Sequence, residues 1–104
     1  MIRFVKVAAS ANDANIEYYV NPDMIKGIST TATTSQVFLA AADGTANNTV
    51  GDHILITHTS GKGPSICASI LRYGIGNKSN GGVAVTVDAN FHNSDISALL
   101  FTAA

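Results

Sequence analysis

The first apolar stretch of this chain runs at a period of two, with β-formers throughout. In IRFVKV, residues 2–7, Ile2 and Phe4 face one way, with Lys6 extending the row, while Arg3, Val5 and Val7 face the other. This is the pattern of a half-buried β-strand. IEYYV, residues 16–20, repeats it after a turn-rich stretch, so the first two strands are expected to form a hairpin. Pro22 then ends the run, because proline donates no hydrogen bond to a ladder. PDMIKGIS offers at most one helical turn before a short strand over residues 25–29, and Gly27 opposes anything longer. Further strands are expected over 35–40, centred on Val37, Phe38 and Leu39, and over 53–59 in HILITHT. VAVTV (83–87) and ISALLFT (96–102) complete the set.

Residues 64–74 read in two ways. As a strand they would place Ile66, Ala68 and Ile70 on one face and Cys67, Ser69 and Leu71 on the other, leaving both faces mostly apolar. As a helix they bring Ile66, Ile70 and Tyr73 together, with Pro64 suited to the first turn and Gly74 or Gly76 to the stop. The end signals favour the helix. The connections around Asp43-Gly44, at 77–82 and at 88–95 are rich in turn-forming residues. The expected fold is therefore α+β and β-rich: a small, partly open β-barrel or a strongly bent antiparallel sheet of about six or seven short strands, with one short helix over an open end. Residues 1–104 form a single domain, since so short a chain cannot enclose two cores.

Charge and composition narrow the partners. Six Lys and Arg stand against seven Asp and Glu, and charged residues make up only 12% of the chain, about half the usual share. Arg3, Lys6, Lys26, Lys62, Arg72 and Lys78 are scattered among acids, so the stacking of Tyr18, Tyr19, Phe38 and Phe91 on nucleic-acid bases lacks its accompanying basic groove. Nucleic acid is disfavoured as a partner. Half the residues are Ala, Gly, Ser, Thr or Asn, and so weakly charged a surface favours association. A homo-oligomer is the expected state. No segment reaches the ~18 apolar residues of a membrane span, and the opening residues lack the apolar core of a secretory signal. The protein is expected in the cytoplasm, or assembled there into a virion.

No candidate chemistry is complete. Gly61-Lys62 resembles the end of a phosphate-binding loop, but Ile56 replaces the first glycine and Gly63 the hydroxyl residue that would hold magnesium. What remains is a turn, with an incidental anion near Gly63 and Ser65 as the lesser reading. His53 and His58 are five apart on one strand and point to opposite faces, and His92 is distant, so no metal site is expected. Asp13, Asp23, Asp43, Asp52, Asp88 and Asp95 fall almost wholly in turns, where their side chains cap backbone N–H groups. Cys67, the single cysteine, reads as a buried inert thiol. The expectation is a protein with no catalytic, metal or cofactor residues, and not an enzyme.

The order MIRFVKV, NPDMIKGIST, HILITHTS, an apolar helix-like segment and a closing DISALLFTA resembles small virion-associated structural proteins of marine tailed bacteriophages. The matching parts are residues 2–7, 54–59 and 96–103, while the helix-like segment is shorter and richer in glycine than that pattern. The resemblance implies a structural, capsid-associated role with other virion proteins as partners, and it carries no catalytic residues. The alternative function from the residues is a small-barrel binding module for nucleic acid or another ligand.

Overall fold

The computed structural model describes residues 1–8, 17–40, 53–75, 82–83 and 85–102. Its elements are β1 (Ile2–Val5), β2 (Glu17–Val20), β3 (Ile25–Thr30), β4 (Thr34–Leu39), β5 (His53–His58), α1 (Gly63–Ser69), β6 (Val85–Val87) and β7 (Ile96–Thr102). The fold class is α+β and strand-rich, as the alternation predicts. The seven strands divide into two sheets, ordered β2-β1-β6 and β3-β4-β5-β7. Among the described residues they do not close into a barrel, so the bent-sheet alternative is the one realised. One expectation needs correction: the sheets are not wholly antiparallel, because β1 pairs with β6 in parallel. The chain between those strands runs through β2 to β5 and α1, well beyond the dozen or so residues that a parallel pair requires.

Alternation in β1 has the consequence read from it. Ile2 and Phe4 are fully buried, while Arg3 and Val5 are half-buried. The strand ends earlier than expected, and Val7 instead exchanges two backbone hydrogen bonds of 3.0 Å with Leu99 of β7. That bridge ties the two sheets together. The β1–β2 hairpin is present, with Ile2 opposite Val20 and Val5 opposite Glu17. Between β2 and β3, Pro22–Met24 form one 3-10 turn, and the Asn21 side chain accepts a hydrogen bond from the Asp23 N–H.

Proline marks the start of the helix as expected, but Gly74 does not stop it: it lies inside the segment that follows α1, and Gly76 lies outside the described residues. Pro64 lies in the first turn of α1, and the chain continues from Ile70 to Ile75 as a π-helical segment. Ile66 and Ile70, one turn apart, are both fully buried against the sheets, whereas Leu71 and Tyr73 are exposed. Gly74 is buried where the helix approaches β1, and a Cβ there would come within 2.8 Å of Ile2 Cγ1. Among the described residues, twelve apolar side chains, including Phe4, Val37, Ile54, Ile56 and Leu99, form one core cluster. Each buried side chain of this size contributes roughly 1.5–3 kcal/mol relative to exposure.

β6 is shorter than the expected 83–87, and Ala84 lies outside the described residues. The Asp43-Gly44 turn and Ile16 also lie outside them.

Candidate functional site

Cross-strand register builds a polar cluster beneath α1, buried at Ser35 and His58 but exposed at Thr30, and with Cys67 half-buried rather than buried as expected. Thr30 of β3 lies opposite Ser35 of β4, which points inward with Val37 and Leu39. Ser35 Oγ is 2.9 Å from His58 Nε2, at the end of β5, and 3.0 Å from Thr30 Oγ1. Cys67 of α1 donates its S–H to the same oxygen from 3.6 Å. His58 Nδ1 is 3.0 Å from the Thr59 carbonyl, and a carbonyl only accepts, so Nδ1 carries a proton. Ser35 donates to Thr30 Oγ1, and the Thr30 hydroxyl in turn donates to the Thr31 carbonyl at 3.1 Å. The cluster is satisfied, and no buried side-chain polar atom among the described residues lacks a partner.

A serine bonded to a histidine whose other nitrogen is held by a carbonyl has the connectivity of a nucleophile, base and orienting group. Access decides what it can do here. Ser35 is 1% exposed and His58 3%, so no substrate atom can approach Ser35 Oγ in this structure. The cluster instead fastens α1 to β3, β4 and β5. The turn above it explains the Gly-Lys-Gly stretch. Gly61 takes a φ of 81°, and its N–H donates to the Ala32 carbonyl at 3.0 Å. Lys62 is exposed at the tip, and Gly63 is buried so close to its neighbours that a Cβ there would strike Thr30 Oγ1 and press on the His58 ring.

His53 and His58 lie on opposite faces of β5, as their spacing requires: His53 sits beside Phe38 at 5.9 Å between ring centroids and within 3.4 Å of Gln36 Nε2. His92 joins neither of them. It hydrogen-bonds Ser69 of α1, from a turn in which His92, Asn93 and Ser94 all take positive φ. Among the described residues no group of three or more His, Cys, Asp or Glu could hold a metal ion. Asp88 acts as a turn residue, its Oδ1 accepting from the Asn90 N–H at 2.9 Å. Asp13, Asp43, Asp52 and Lys78 lie outside the described residues.

The aromatics do not make one platform. Tyr18 stacks on Phe101 at 5.0 Å, and Phe91 meets His92 edge-on. Arg72 lies over Tyr73 at 5.4 Å, and Arg3 pairs with Glu17. No helix of the described residues is long and apolar enough to cross a membrane.

A second feature lies along β2. A half-open cleft of about 460 Å³ is lined by the whole of that strand together with Met24, Leu39, Ala40 and Phe101. Its surface is mainly apolar, and Tyr19 within it is 52% exposed. Glu17 is the only charged residue in the lining, and its carboxylate is already engaged. Arg3 Nε donates to it at 2.7 Å and the Tyr19 hydroxyl at 3.1 Å. The hydrogen bond from Arg3 holds the Glu17 carboxyl below its ordinary value of 4.5 and, reciprocally, raises the Arg3 guanidinium. Sequence reasoning singled out neither Thr30 and Ser35 nor this cleft, because each depends on which strands become neighbours.

Comparison with known proteins finds no family model that matches the chain and no curated protein or solved structure similar to it.

Proposed function

We propose that this is a non-enzymatic structural subunit that associates with copies of itself, with the phage-particle role implied by its sequence motifs as the setting. The observation that carries the reading is the contrast between β2 and the other three strands at the sheet ends. Exposed strand edges pair with other chains unless something blunts them. β3 carries Lys26 and a register shift between Ile25 and Gly27, β6 is only three residues long, and β7 is bridged to Val7. Among the described residues β2, one residue longer than β6, has no register shift and no bridge beyond β1, contains no Lys or Pro, and has the charge of Glu17 neutralised by Arg3.

Beside that edge the molecule presents the surface for a self-complementary contact. Tyr19 and Met24, at 52% and 36% exposure, line the cleft together with Tyr18, Val20, Leu39 and Phe101. A two-fold arrangement would place the cleft lining of one copy against that of the other, since both partners of such an interface use the same patch. The near-neutral net charge of −1 offers little repulsion between copies. The test is the solution mass across a dilution series. A discrete multiple of the 10.7 kDa chain supports the reading, and a monomer at every concentration overturns it.

A further inference from the structure

We draw no further inference here: the strongest candidate, the half-open apolar cleft between β2 and the C-terminal ends of β4 and β7, belongs to the surface already proposed for self-association, and nothing in the structure shows what other molecule would fill it.

Discussion

Ser35 shows how one small side chain can matter more than its size suggests. Its hydroxyl is the common point of Thr30, His58 and Cys67, so Ser35→Ala removes one methyl-sized group's oxygen but strips His58 Nε2 of its partner. Leaving a buried polar group unsatisfied costs about 1–3 kcal/mol, and denaturant unfolding should show a loss in that range. Gly63→Ala attacks the same cluster from above: the new Cβ forces Thr30 Oγ1 and the His58 ring aside. Overpacking of this kind costs about 1–3 kcal/mol, and it should appear as a lowered Tm with an unchanged far-ultraviolet dichroism spectrum. At Glu17 the prediction concerns pH. A carboxyl whose folded value is depressed adds stability that is present above its ordinary value of 4.5 and is lost as pH falls below that point. Glu17→Gln should therefore flatten the acid limb of a stability-against-pH curve below about pH 4.5 and leave its neutral part nearly parallel to that of the wild type. An unaltered acid limb would show that the Arg3 pair has no effect on folding.

At the scale of elements, the helix offers the cleanest comparison. Ile66 is fully buried and Leu71 is 46% exposed. Ile66→Ala should cost about 2–5 kcal/mol, while Leu71→Ala should stay within about 0.5 kcal/mol, as measured by chemical denaturation. The strand reading of this segment puts these two residues on opposite faces that are both mostly apolar, and so predicts no such gap. The ordering of elements is legible because local rules determine it: alternation marks β1, β-forming residues mark the later strands, Pro22 ends β2, and Pro64 opens the helix. Pairing was less legible. The parallel β1–β6 contact joins Ile2 to Val85, and no local pattern specifies so distant a partner. The same limit hides the polar cluster. His58 and Cys67 were visible as chemistry-bearing types, but their meeting at Ser35 is a product of register and of the helix lying across β3 and β4. The Gly61–Gly63 stretch forms a turn, as its glycines suggest, but the reason for Gly63, its close approach to Thr30 and His58, lies in the packing.

For the whole molecule, what matters is which surface remains available once the core is formed. Two sheets joined through the Val7–Leu99 bridge and capped by α1 enclose one apolar cluster. The interior thereby uses the buried faces but leaves the β2 edge and its cleft outside. Nothing buried depends on the exposed Tyr19 side chain, so Tyr19→Lys should leave the fold intact while placing a charge on that edge, a device that natural sheets use against pairing. The most direct measurement is light scattering on the wild type and Tyr19→Lys side by side, each across the same dilution series, with Tm recorded for both. The account predicts a wild-type mass that is a discrete multiple of 10.7 kDa and a variant that is monomeric with a similar Tm. A monomeric wild type would contradict self-association itself, and an oligomeric variant of unchanged mass would contradict the β2 edge as the place where copies meet.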